Sequence, residues 1–212
     1  MYYKTEKNDH NLPHDPFKAL VSPRPIGWIG TRNKLGINNL APYSYFNAIS
    51  DKPYFVMFAS TGFKDSIKNI EETKVFTCSL ATKDLFNKMN YSSASTKYGD
   101  DEFELSGLTP KDGKLVNAPY VDESPAALEC ELWKVIDLPG SDRSSLSGSY
   151  VVFGHVKGIY IDDKYIKDGL FDTRKARPLG RLGYMDYGII NDDNIFSQKR
   201  PQVDKDGNII KV

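Results

Sequence analysis

Apolar residues in this chain fall in short runs or alternate with polar ones, the period-two signature of strands rather than of long helices. Pro25–Thr31 reads as a strand, Arg32–Gly36 as a turn, and residues 38–47 as a returning strand. Tyr54–Ser60 is continuously apolar, which predicts burial on both faces. A helix follows, with Asp65 as its expected N-cap and Ile67 and Ile70 on one face. Val75–Leu80 predicts a strand, and Lys83–Asn90 a second helix carrying Leu85 and Met89 four apart.

Tyr91–Gly107 is Ser-rich and then acidic, and reads as an irregular surface excursion. In Ala126–Ile136, Leu128, Cys130 and Leu132 alternate with Glu129 and Glu131, the pattern of a half-buried strand. Leu138–Gly148 is a loop by composition. Tyr150–Ile161 predicts a long strand, with Gly154 and Gly158 allowing a bulge. Regular βα alternation is absent, so a doubly wound sheet is not expected. A closed or half-closed barrel with helices over its ends fits this succession better, because closure removes exposed strand edges. The expected division is an arm over residues 1–16, a barrel domain over 17–185 and a tail over 186–212 that packs on a partner.

Composition narrows the functional classes. Lys plus Arg equals Asp plus Glu at 28 each, so no net field gathers nucleic acid or an acidic membrane. No apolar run approaches the roughly 20 residues of a membrane span, and the polar start predicts a cytoplasmic protein. Cys78 and Cys130 sit in apolar strand-like runs and are expected as buried thiols. Trp28 and Trp133 are expected in the core. The 13 Tyr and 11 Phe suit strands and can also stack on a planar ligand.

Motifs for dinucleotide turns, P-loops and nucleophile elbows are absent. His10 and His14 stand four apart in a Pro-interrupted arm, and no metal site is expected there. The stretch Phe58-Ala-Ser-Thr-Gly-Phe-Lys-Asp-Ser66 is the most chemically suggestive. It sets the hydroxyls of Ser60, Thr61 and Ser66 and the charge of Lys64 around a helix start. Free N–H groups and the helix dipole favour an anion there. The same residues also suit an ordinary capped helix after a polar turn.

Ordered along the chain, Ser22-Pro-Arg-Pro-Ile-Gly-Trp-Ile-Gly-Thr31, Asn39-Leu-Ala-Pro-Tyr-Ser-Tyr-Phe-Asn-Ala-Ile-Ser50 and Lys64-Asp-Ser66 with Asn69-Ile70 resemble the flavin reductase-like family of the FMN-binding split-barrel superfamily. Asp101–Glu104, Gly107–Pro110, Glu129-Cys130, Gly154–Val156 and Arg181–Tyr184 are weaker echoes. Gly30 stands where the family often has Ser, and Ser66 where it often has Thr. The resemblance implies a mainly β fold with α: a split, Greek-key-like β-barrel with helices covering its ends. It implies FMN held by Ala41, Pro42, Tyr43, Ser44, Tyr45, Phe46 and Asn47 along the flavin, with Ser60, Thr61, Lys64, Asp65 and Ser66 toward ribityl and phosphate. It also implies a homodimer with flavin near the interface, residues around Tyr91–Tyr98 coming from the other subunit.

His155 and Arg24 are the candidates for contact with the reacting partner, against ordinary structural roles. Arg181 suits a surface charge as well as a ligand contact. Three functions remain open at this point. One is NAD(P)H-dependent flavin reduction, with NADH or NADPH as donor. The others are FMN-based electron carriage in the manner of a flavoredoxin, and non-catalytic binding of another phosphorylated ligand.

Overall fold

The computed structural model describes residues 1–140 and 146–210. Seven antiparallel strands build the principal sheet: β1 (Gly27–Arg32), β2 (Asn38–Tyr43), β3 (Phe46–Asp51), β4 (Tyr54–Thr61), β5 (Val75–Leu80), β6 (Ala126–Pro139) and β7 (Leu146–Ile161). Their spatial order is β2-β1-β5-β6-β7-β4-β3. The two edge strands, β2 and β3, are consecutive in the chain and do not pair with each other. The barrel is therefore split, and the split opens beside the Ser44-Tyr45 corner. There the N–H of Ala59 donates to the carbonyl of Tyr45 at 2.8 Å, drawing the corner against β4.

The barrel interior is one apolar cluster around Ile29, Phe58, Phe76 and Cys130. Helix α1 (Asp65–Thr73) closes one end, because Ile67 and Ile70 share a face and both enter this cluster. A second cluster lies outside the barrel wall, where Trp28 and Leu40 meet Met89 of α2 (Phe86–Tyr91) and Phe103 of α3 (Glu102–Leu105). Continuous burial consequently falls on β1, with Ile29 facing in and Trp28 facing out. In β4, burial instead alternates, against the two-faced burial its apolar run predicts. That run faces the interior on one side only, and among the described residues no element packs over the whole of its outer face.

Several local readings change. The segment 38–47 is two strands broken at Ser44-Tyr45. Lys64, not Asp65, holds the N-cap position of α1. Trp133 is 64% exposed, edge-on to Phe55 and Phe153 on the outer face of the sheet. Glu129 is buried, and its carboxylate accepts the N–H groups of Lys114, Leu115 and Val116 at 2.6–3.1 Å. Those bonds compensate its desolvation. The loop expected at 138–148 lies partly outside the described residues. Tyr187–Ile189, expected in the tail, pairs with Leu179–Arg181 in a three-stranded sheet completed by Arg24–Pro25. The C-terminal residues form a small hairpin, Gln202–Val203 against Ile209–Ile210.

Cys78 and Cys130 are buried free thiols, and burial holds Cys78 well above the usual thiol range. Register shifts in β7 occur at Phe153/Gly154 and Val156/Gly158, the bulges the two glycines predict. Gly154 is also packed: a Cβ there would lie 2.3 Å from Phe76. Gly30 is tighter still, its missing Cβ directed 2.0 Å from the Pro119 carbonyl oxygen and 2.5 Å from Thr77 Oγ1. The serine common at this position in the family resembled above has no room.

Gly154→Ala is expected to cost about 1–3 kcal/mol by overpacking. Gly188→Ala, whose Cβ would meet nothing closer than 3.6 Å, should stay within about 0.5 kcal/mol. Denaturant midpoints of the two variants check this; equal midpoints would discount the Phe76 contact.

Candidate functional site

The split in the barrel fixes the site. β2 pairs on one side only, so alternate residues turn their backbone groups toward an open edge. Pro42 sits on that edge, where its missing N–H breaks no ladder bond. The Leu40 N–H also points outward, and the Glu102 carboxylate accepts it at 2.9 Å. The other oxygen of Glu102 accepts the Thr96 hydroxyl at 3.0 Å. Asp101 caps α3 by accepting from Phe103 N, which fixes Glu102 in the first turn.

A cavity of about 370 Å³ runs along this edge. One wall is Ala41, Pro42, Tyr43, Ser44 and Tyr45; another is Ala59 and Thr61 of β4. Lys64, Asp65 and Ser66 close the end at the α1 N-terminus. Asn39 and Glu102 lie at the base, and Ser92–Thr96 forms the far side. Of the twelve residues expected around the flavin, the structure brings nine together here. Phe46 and Asn47 point elsewhere on β3, the Phe46 ring filling the space beside Gly27. Ser60 is buried behind the cavity and donates to the Gly62 carbonyl at 3.0 Å.

Among the described residues no side chain caps α1, so its first N–H groups face this end without a side-chain partner there. Lys64 is exposed, and among the described residues its ammonium makes no ion pair. Ser66 is buried, and Asn39 Nδ2 donates to its oxygen at 3.0 Å. That leaves the Ser66 proton available to an acceptor in the cavity. The same Asn39 amide reaches Thr31 Oγ1 at 3.1 Å, as does Asn69, so a buried polar cluster orients the hydroxyl. Among the described residues the buried Tyr43 hydroxyl makes no close hydrogen bond, and burial raises its pKa above the usual phenol range against the lowering influence of the nearby Ser66 and Ser60 hydroxyls.

Asn39, Ala59 and Glu102 were not among the expected site residues. The Ser92–Thr96 side lies within the Tyr91–Tyr98 stretch expected at the flavin from the other subunit, and in this chain it lines the chain's own cavity. Its anchor is Ser92, which accepts Trp28 Nε1 at 2.9 Å.

Neither candidate for the reacting partner lines this cavity. His155 is half-buried on β7 and stacks on Phe55 at 4.9 Å, in the aromatic group with Trp133. Arg24 is buried and donates to the carbonyls of Lys18, Val21 and Leu182, tying the N-terminal turn to the body. Its guanidinium stands 6.0 Å from the ring of Tyr45, which does line the cavity.

The sequence profile of the flavin reductase like domain matches residues 20–180. The chain belongs to the flavin reductase like domain family. A protein of Aquifex aeolicus (strain VF5) is 34% identical to this family member over 189 residues, covering 86% of this chain and 92% of that one. Component B of nitrilotriacetate monooxygenase from Bacillus cereus shares its fold, with a TM-score of 0.82 at 24% identity over 93% of this chain and 98% of that one. Flavoredoxin of Desulfovibrio vulgaris (Miyazaki F) gives 0.73 at 23%, over 84% and 91%. In this family member, no helix among the described residues is long and apolar enough to cross a membrane.

Glu102 gives the site a pH signature. Burial, the largest influence, raises its carboxyl pKa against the opposing hydrogen bonds from Leu40 and Thr96. The folded chain then holds this proton more tightly than the unfolded one. Its stabilising contribution is complete below the ordinary glutamate value of about 4.3 and is lost as pH rises through the folded value. Glu102→Gln should flatten that decline in urea midpoints measured upward from about pH 4; an unchanged slope would remove Glu102 as its source.

Proposed function

We propose that this chain is an FMN-binding oxidoreductase that reduces flavin at the expense of NADH or NADPH. The carrying observation is the uncapped start of α1, where Lys64 and the Ser66 hydroxyl face one end of a cavity that runs along an open strand edge. Phosphate requires N–H donors, a positive charge and hydroxyls, and this end offers all three. A planar, mostly apolar ring with polar margins requires a slot with backbone groups at its rim. The β2 edge and the Ala41–Tyr45 wall supply one. The unpartnered Tyr43 hydroxyl is a further polar atom that such a ligand would satisfy.

Bound FMN would supply the electron-transfer chemistry, and the protein's part is placement. Lys64, Thr61 and Ser66 hold the phosphate, and Asp65 stands at the first turn. Ala41–Tyr45 orients the ring. The Ser92–Thr96 side, held by Glu102 and Trp28, limits water along the far wall. No general base is invoked, in keeping with a cavity whose only carboxylates among the described residues are Asp65 and Glu102. The match to the flavin reductase like domain supports the reductase reading, and the fold shared with a flavoredoxin supports electron carriage without pyridine-nucleotide oxidation.

The proposal includes a cytoplasmic homodimer. The exposed Trp133, packed with Phe55 and Phe153 on the outer sheet face, is the surface that supports it, and a mass measurement in solution tests it.

Lys64→Ala together with Ser66→Ala should weaken FMN at least about tenfold, the loss of charge-assisted phosphate bonds, while riboflavin affinity changes little. Equal losses for both flavins would shift the phosphate site elsewhere. Anaerobic NADH or NADPH should bleach the flavin absorbance of the loaded protein. Retained yellow colour with no nucleotide oxidation would select the carrier, and a protein that takes up no FMN would leave only binding of another phosphorylated ligand.

A further inference from the structure

A second, smaller cavity of about 150 Å³ backs onto the first, sharing Pro42, Ser44 and Ser93 with it. Its remaining walls are Ile26, Met89, Tyr187 and Arg181. The first three are largely apolar, and among the described residues Arg181 is the single charged residue of the lining. We infer that this pocket binds the carboxylate of a small organic acid whose apolar body lies toward Ile26, Met89 and Tyr187. As a ligand site beside the flavin ring, it rests on the reading given above.

Backbone geometry brings the charge here. Arg24, Arg181 and Tyr187 are directly opposite one another across three short strands, and opposite residues of an antiparallel ladder project to one face. Arg181 stacks on Tyr187, its guanidinium carbon 4.3 Å from the ring centroid. It donates to the carbonyls of Tyr184 at 2.6 Å and Met185 at 3.3 Å. A guanidinium has five N–H groups, so those bonds fix its plane and leave donors free.

Among the described residues no carboxylate lies within 4.0 Å of Arg181 or of Arg24. Like charges placed directly opposite repel, and here no acid offsets them. Arg24 is buried with its Nε–H unpartnered, so it cannot relieve the repulsion by swinging into solvent. An incoming carboxylate does so, and the planar fork of Arg181 matches its two oxygens. A bare inorganic anion would satisfy the charge and leave the apolar walls wet. This selects an organic acid over free phosphate.

The test is calorimetric titration of FMN-loaded and flavin-free protein with benzoate, benzamide and inorganic phosphate, for the natural chain and for Arg181→Gln and Arg181→Lys. Benzoate should bind about tenfold more tightly than its neutral analogue benzamide. Arg181→Gln should erase that ratio and Arg181→Lys retain part of it, with thermal melts showing that both variants fold. Equal binding of benzoate and benzamide overturns the inference, as does a ratio that survives Arg181→Gln. Phosphate binding as tightly as benzoate also overturns it, leaving a plain anion hole. Failure to take up FMN would remove the flavin reading, while the flavin-free titration still decides the carboxylate site.

Discussion

An unpaired strand edge governs this molecule. Backbone N–H and C=O groups removed from water must find partners, and β2 has a neighbour on one side only. Glu102 satisfies the Leu40 N–H, and Pro42 has no N–H to satisfy. The Ala41–Tyr43 end of that edge borders the larger cavity with its backbone groups. Closing the barrel between β2 and β3 would satisfy them and abolish the site in the same stroke. The opening is thus kept by chemistry at its rim: a proline that cannot donate and a carboxylate that stands where a strand would.

The helix at the barrel end is placed by the same architecture. Ile67 and Ile70 are driven into the interior, and this fixes the direction in which the N-terminus of α1 points. Nothing about Lys64 or Ser66 is needed for that packing beyond the Asn39 bond that orients the hydroxyl. Fold and ligand chemistry divide between the two sides of one short helix. Substitutions at the polar end should therefore change binding before they change stability.

Much of this was legible in the chain. Val75–Leu80 has the bounds its apolar pattern predicts, and the bulges of β7 fall at Gly154 and Gly158. The α1 start was legible because Ser, Thr, Gly and Lys gather there at a strand-to-helix junction. Other features depend on which elements come to lie over a strand, and local pattern carries no record of that. Trp133 has the composition of a core residue but belongs to an uncovered outer face. Glu129 alternates like a surface residue and is buried beneath the 114–116 turn. Ser92–Thr96 reads as loop by its hydroxyls, yet Trp28 and Glu102 recruit it as a wall. Glu102 itself gave no signal beyond the capping Asp101 before it, because its partner is an N–H more than 60 residues away in sequence.

The contact at Gly30 reaches beyond its own strand. The Pro119 carbonyl occupies the volume that any side chain at position 30 would need, and the Thr77 hydroxyl, bonded to that carbonyl, holds it there. Position 30 and the Pro119–Val121 strand are therefore sterically coupled. A chimera that takes β1 from a serine-bearing relative must import the matching 118–121 segment as well, or the transplanted strand will push the outer layer away from the barrel.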